Sequence, residues 1–242
     1  MNGLHTQMNE APEIRANIQP GRWIWDIRQE PEGLGIGRGR ARLLGCDRVL
    51  TVGTDMAIGK MSTSIELTKA SKAQGLAAKM IATGQTGLML GEDGIALDAV
   101  RVDYAAGAVE QSVLRHGKDS DILFVEGQGS LLNPGSTATL PLLRGTQPTH
   151  LILVHKANLT HIQHFPNFQI PPLTKVIELY ESVASAGGIF SKTPVVGIAL
   201  NTFGLNEKEA QRAISDVSAE TGLPCTDVVR FGAEPLITQI VE

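Results

Sequence analysis

The sequence predicts an α/β fold built on a doubly wound, mostly parallel sheet. Three observations carry this expectation. After Asp47, short β-branched runs alternate with helical stretches, the runs are apolar at nearly every position, and the connections between them are short. A parallel strand covered on both faces reads as a continuous apolar run, whereas a strand with one wet face alternates.

Residues 1–46 differ in character from the remainder of the chain. Trp23 and Trp25 lie in a short candidate strand, 22–27, and the stretch 33–40 is rich in glycine and arginine. It reads as an N-terminal arm or interdomain segment. A dinucleotide fingerprint at 33–39 is the poorer reading, because no strand leads into it and no apolar helix comes after it. The regular domain then spans 47–242. Strands are expected at 48–52, 79–82, 122–125, 150–154 and 195–200, with a further one at 225–229. Helices are expected at 60–74, 98–116, 174–186 and 207–221. The second would open on Asp98 as a cap. The last has Asn206 to cap its amides, Glu209 three residues on, and Gly222 and Pro224 to stop it.

Composition removes several function classes. The 242 residues carry 21 Lys+Arg against 25 Asp+Glu, a net charge of −4 with no basic run, which argues against a nucleic-acid partner. No apolar run approaches the roughly 18–20 residues of a membrane span. Residues 1–20 are polar and lack the core of a secretory signal, and the two cysteines, Cys46 and Cys225, fit a reducing cytoplasm better than a disulfide framework. The 26 glycines point to tight turns or to loops that bring backbone close to a ligand.

The most informative segment is 49–63. A strand runs into a loop from Gly53 to Gly59, and Lys60 opens a helix. A phosphate chain needs backbone N–H groups without side chains in the way, a helix N-terminus and one ammonium. Gly53, Gly59 and Lys60 supply these in order, which makes the domain a P-loop, three-layer sandwich. The strict pattern is not met: Thr54 replaces the first glycine, and Met61 follows the lysine where a hydroxyl residue normally reaches Mg²⁺. Ser62 and Thr63 come later. The bland alternative is a glycine turn with a surface lysine. Glu126 ends the strand 122–125 and would hold Mg²⁺ or its water in such a fold, or else simply bond nearby amides.

These residues resemble known proteins. The stretch 52–60 together with 125–129 is similar to the dethiobiotin synthetase branch of P-loop proteins, and 197–201 resembles the branch's late strand ending in an adenine-reading Asn, here Asn201. The resemblance is closer to the D-glutamate N-acetyltransferase (DgcN)-like family, long labelled a domain of unknown function. It is carried by 51–61, 82–87, 94–98, 125–130, 143–148, His155 with Thr160 and His161, 171–173, 196–202 and 227–232. It implies transfer of acetyl from acetyl-CoA to the amine of D-glutamate or a related acidic amino acid. Gly53, Thr54, Asp55, Gly59, Lys60, Met61, Ser62 and Asn201 would then bind acetyl-CoA or ATP. Coenzyme A carries a diphosphate that is not cleaved, so Met61 is tolerated and Mg²⁺ use stays open. Ile81, Ala82 and Thr83 stand where dethiobiotin synthetase has a strand lysine, which argues against carboxylation. Relatives carry a Rossmann-like domain ahead of the loop. Only 52 residues precede Gly53, so that domain is expected to be absent, with a face exposed or buried in a homo-oligomer.

Acetyl transfer to an amine needs a base, an oxyanion donor and a clamp for carboxylates. The candidate bases are Glu126, His155 and His161. His155 would emerge at the ligand edge of its strand, and the alternative for both histidines is a loop side chain satisfied by backbone or water. Arg144 and Arg230 are candidate clamps, or structural ion-pair partners. Thr83, Gln85, Thr86 and Gln128 would bond the substrate. Two other readings remain open: an ATP-dependent ligase or kinase acting on an acidic amino acid or dipeptide, and a non-catalytic nucleotide-binding partner or truncated remnant.

Overall fold

Seven parallel strands lie in the order β3-β2-β4-β1-β5-β6-β7 in the computed structural model, which describes residues 1–241. In chain order the elements are α1 (Pro12–Arg15), β1 (Asp47–Gly53), α2 (Lys60–Ala73), β2 (Ala78–Ala82), α3 (Gln85–Met89), β3 (Asp93–Gly94), α4 (Val102–His116), β4 (Ile122–Val125), α5 (Thr139–Thr146), β5 (His150–Lys156), α6 (Leu173–Ser185), β6 (Val195–Asn201), α7 (Glu207–Thr221), β7 (Cys225–Thr226) and α8 (Glu234–Val241). β1 is central, with β4 on one side (Leu50 opposite Val125) and β5 on the other (Gly53 opposite Val154). From β1 the chain passes through β2 to the edge strand β3, returns to place β4 beside β1, and then winds out the other way through β5, β6 and β7, so the loop after β1 opens at the point where strand order reverses. That crevice is where open α/β sheets bind ligands.

Strand side chains alternate between two helix layers. Leu50, Val52, Leu123, Val125, Leu151 and Leu153 pack with Val109 and Val113 of α4, Leu142 and Leu143 of α5, and Val176 and Tyr180 of α6. Val49, Ile122, Phe124, Ile152 and Val154 face the opposite way, against Leu67 of α2 and Leu236, Ile237 and Ile240 of α8. Strands apolar at every position are thereby explained, because each face meets a helix.

The arm runs over α4. Arg28 pairs with Asp98, Glu30 with Arg101, and Arg40 with the buried Glu110, which also accepts the Arg38 backbone N–H. Burial pushes the Glu110 carboxyl up, but these bonds outweigh it and hold it below its usual range. Residues 22–27 form no strand; only an isolated bridge joins Asp26 to Asn2. Asp98 does not cap a helix. It lies in a 3₁₀ turn, Leu97–Ala99, and α4 begins only at Val102 after Arg101. The last strand is two residues long rather than five, because the Asp227 carboxylate ends it by accepting from the backbone of Thr202, Val229 and Arg230. The Asn206–Glu209 capping box on α7 is present in both directions. Helices α1, α3, α5 and α8 carry no strong signal in the sequence. α5 is eight residues interrupted by Pro141 and Gly145, and α8 is short and β-branched.

Candidate functional site

The carboxyl ends of β2, β4, β1, β5 and β6 bring Thr83, Glu126, Gly53, His155 and Asn201 to one edge of the sheet. The loop between β1 and α2 is held there from below. Tyr180 of α6 donates its hydroxyl to the Gly53 carbonyl at 2.7 Å and accepts the Leu131 N–H at 3.1 Å. The Thr54 hydroxyl pairs with His155 Nδ1 at 2.8 Å, both groups buried. The Asp55 carboxylate accepts from Met56 N, Asn133 Nδ2 and Gln163 N, each at 2.7 Å. Burial pushes that carboxyl up, yet the three donors prevail and keep it below its ordinary range. Thr54 and Asp55 therefore shape the loop. Ala57 and Gly59 take positive φ on either side of Ile58, an alternation that turns successive N–H groups into an anion-binding concavity. At φ 117°, Gly59 has a conformation closed to side chains. No side chain caps α2, so its first amides face the same space.

Lys60 is buried and donates Nζ to the Asp55 carbonyl at 2.6 Å. Burial lowers its pKa from 10.5 to about 8, against the attraction of Asp55 and Glu126. A bound phosphate would replace the lost hydration and restore the charge. Glu126 is also buried, and burial raises its carboxyl above the usual range despite the amides of Thr83 and Gly84 and the charge on Lys60. Its two oxygens accept from Thr83 N at 2.9 Å and Gln128 Nε2 at 3.2 Å, and the Thr83 hydroxyl donates to the Glu126 carbonyl. Thr83 thus positions Glu126 and has no spare donor for a substrate. A cavity of about 440 Å³ is lined by Ala57, Gly59, Lys60, Met61, Ser62, Gln85, Thr86, Glu126 and Gln128. The proposed phosphate ligands and the strand-end carboxylate share this one space.

A second cleft of about 250 Å³ opens on the other side of Gly59 and Ser62, lined by Asn201, Phe203, Asp227, Val229 and Arg230. Asn201 donates Nδ2 to the Ile58 carbonyl and accepts from Phe203 N, which ties β6 to the phosphate loop. The other expected residues disperse. His155 is buried, its pKa lowered to about 4 by burial, and its Nδ1 is engaged by Thr54, so it stays neutral at physiological pH. His161 is exposed and pairs with its neighbour Thr160. Arg144 sits on α5 with its guanidinium 4.9 Å from the centre of the Phe190 ring, among residues that precede β6 at the opposite edge of the sheet. It is far from the loop because α5 runs toward the amino end of β5. Mg²⁺ would find no ready ligand set: Met61 offers no hydroxyl, Glu126 is the one carboxylate among the residues lining the cavity, and among the described residues no three His, Cys, Asp or Glu side chains gather around one point. Tyr180, Asn133 and Gln163 hold the loop without any mark in the sequence, since each reaches it from more than 70 residues away.

Comparison with known proteins agrees with this geometry. Residues 35–237 match the family described as a domain of unknown function (DUF1611_C), P-loop domain. A D-glutamate N-acetyltransferase of Tritonibacter scottomollicae is 35% identical over 241 residues, 97% of this chain and 70% of that protein. A second, from a Pseudoalteromonas species, is 33% identical over 99% of this chain and 71% of its own length. The crystal structure of a DUF1611 family protein from Anabaena variabilis, 63% identical, superposes with a TM-score of 0.97 over 99% of this chain and 70% of that one. The phosphate loop, the strand-end glutamate and a match over nearly all of this chain converge on one assignment: the chain belongs to the DUF1611 family and contains its P-loop domain.

Proposed function

We propose that this protein is an N-acetyltransferase that holds the diphosphate of acetyl-CoA on loop 53–60 and moves the acetyl group to the amine of D-glutamate or a related acidic amino acid. The observation that carries this reading is the single cavity shared by a phosphate loop without a hydroxyl at position 61 and a buried carboxylate of raised pKa. Hydrolysis of a triphosphate would call for a well-held Mg²⁺, whereas a diphosphate that is bound and not cleaved needs only amides and an ammonium. The names of the relatives supply the reaction and its acceptor.

In this reading Lys60 and the loop amides bind the diphosphate, and Glu126 serves as the base. Glu126 takes a proton from the acceptor's ammonium and later returns it to solvent. The freed amine attacks the thioester carbonyl, a C–N bond forms, the C–S bond breaks, and the second proton lost by the nitrogen leaves with the sulfur as the free thiol of coenzyme A. A carboxylate kept from full hydration is a stronger base than one in water, so its raised pKa suits it to the task. Gln85, Thr86 and Gln128 line the same cavity and offer donors to the developing oxyanion or to the acceptor's carboxylates. Buried His155 and exposed His161 are less suited to the role. Cys46, buried, and Cys225, partly buried, are both free thiols. Among the described residues no helix is long and apolar enough to cross a membrane.

Calorimetric titration with coenzyme A tests the binding half of the proposal. Wild-type protein is expected to bind, and Lys60→Met is expected to bind at least about tenfold more weakly, the scale of one charge-assisted bond. Affinity should be flat below pH 8 and weaken by up to about tenfold per unit above it, because Lys60 must then be protonated for the ligand to bind. Equal affinity in the two proteins would contradict the assignment of the loop.

A further inference from the structure

We propose that Arg230 reads the 3′-phosphate of coenzyme A, so that the cleft beside Asn201 is an adenosine 3′-phosphate site that selects coenzyme A over a plain nucleotide. The inference rests on the reading of loop 53–60 as a diphosphate site. It extends that reading to a part of the molecule the reaction itself leaves unassigned.

The two cavities meet at Gly59 and Ser62, which line both. A diphosphate on the loop therefore has one continuous exit on the Lys60 and Glu126 side and another toward Asn201. An adenosine joined to the diphosphate through its 5′ oxygen has the second exit available, while the pantetheine arm takes the first, toward Glu126. The second cleft suits a planar base. Phe203 and Val229 stand in its wall 85% and 67% exposed, a large apolar surface left in water. Asn201, after its two bonds within the protein, still has one amide N–H and one lone pair to offer a base edge.

Arg230 closes the cleft at its outer side. Nη1 donates to the Thr202 hydroxyl and the Leu205 carbonyl, which fixes the guanidinium, while Nε and Nη2 make no bond to any described residue. No carboxylate among the described residues lies within ion-pair distance of it. Asp227 lines the same cleft, but its oxygens already accept from the backbone of Thr202, Val229 and Arg230 and from the Thr202 hydroxyl. What remains is a guanidinium held over the Phe231 ring, 5.5 Å from its centre, oriented and without a carboxylate partner among the described residues, at the mouth of an apolar slot that leads to a phosphate loop. Guanidinium recognises phosphate through two parallel N–H bonds, and a nucleoside 3′-phosphate places a dianion just outside a base-binding slot. ATP and ADP lack that group, and 3′-dephospho-coenzyme A lacks it alone.

The test is calorimetric titration of the wild-type chain and Arg230→Gln with coenzyme A, 3′-dephospho-coenzyme A and ADP, with Arg230→Lys as the conservative variant. Wild type is expected to bind coenzyme A at least about tenfold more tightly than its dephospho form. Arg230→Gln should erase that gap while leaving affinity for dephospho-coenzyme A unchanged, and Arg230→Lys should keep part of it. Because Arg230 is exposed, the variants are expected to melt within a few degrees of wild type, and unchanged dephospho-coenzyme A binding certifies the fold. In steady-state assays Arg230→Gln should raise KM for acetyl-CoA and leave KM for the acceptor alone. A gap that persists in Arg230→Gln, or no gap in a wild type that binds coenzyme A, overturns this site and leaves the phosphate-loop reading intact. A rise in KM for the acceptor instead assigns Arg230 to carboxylate binding and overturns it equally. Failure of folded wild type to bind coenzyme A at all overturns both.

Discussion

Lys60 and Glu126 are opposite charges held a short reach apart and away from water, and each is less comfortable charged than it would be in solvent. For Lys60 the depression from 10.5 to about 8 corresponds to about 3 kcal/mol. The unfolded chain binds that proton more tightly, so the cost is full below pH 8 and is relieved as pH rises toward 10.5. Without ligand, Lys60→Met should therefore melt no lower than wild type although it has lost the ammonium proposed to bind phosphate. For Glu126 the sign is opposite: its carboxyl stays protonated to a higher pH than an ordinary glutamate, and the proposed general-base role requires the ionised form. The kcat/KM profile of the wild type should show an acid limb centred above pH 4.5. In Glu126→Gln that limb should vanish, with kcat down by about 10²–10⁴-fold, the usual worth of a general base. A profile unchanged in shape would exclude Glu126 as the base. At this scale the sequence shows Gly59, Lys60 and Glu126 clearly, because strand, loop and helix signals surround them. It does not show that Thr54 and Asp55 are spent on His155, Asn133 and Gln163, since those bonds join residues 78 to 108 positions apart.

Strands β1, β2, β4, β5 and β6 are legible because parallel pairing buries both faces and writes itself as unbroken apolar runs, whereas β3 and β7, two residues each, give no such run and the strand expected at 22–27 does not form. Helices α2, α4, α6 and α7 are legible to within a few residues from periodicity and caps. Elements α5 and α8 escape notice because eight residues give too little periodicity, though they cover opposite faces of the sheet. The arm is the clearest case of structure set by tertiary contact. Gly107, inside α4, lets the backbone of Gly35 and Ile36 lie directly on the helix, and an added Cβ would collide with the Gly35 carbonyl oxygen. Alanine there gains about 1 kcal/mol in helix propensity. The collision outweighs it, by about 1–3 kcal/mol for an overpacked contact. Gly107→Ala is thus expected to lower the melting temperature and speed proteolysis within residues 30–46, while the loop and its ligand affinity are kept. Unaltered proteolysis would show that the arm does not depend on this contact.

On the scale of the molecule, function follows from winding order. Placing β1 at the centre, with β4 and β5 on either side, gathers Gly53, Glu126 and Asn201 at one crevice although they are spread over nearly 150 residues. The chain spans about 70% of the length of the relatives and of the solved structure it matches. What it contains is the phosphate loop, the buried carboxylate and the cleft beside Asn201. The central claim is that these transfer acetyl to an acidic amine without nucleotide cleavage. The most direct measurement follows free thiol released from acetyl-CoA by the purified protein with and without D-glutamate, beside ADP released from ATP under the same conditions. The account predicts D-glutamate-dependent thiol release matched by N-acetylated product, with no ADP. D-glutamate-dependent ADP release with no thiol would contradict it.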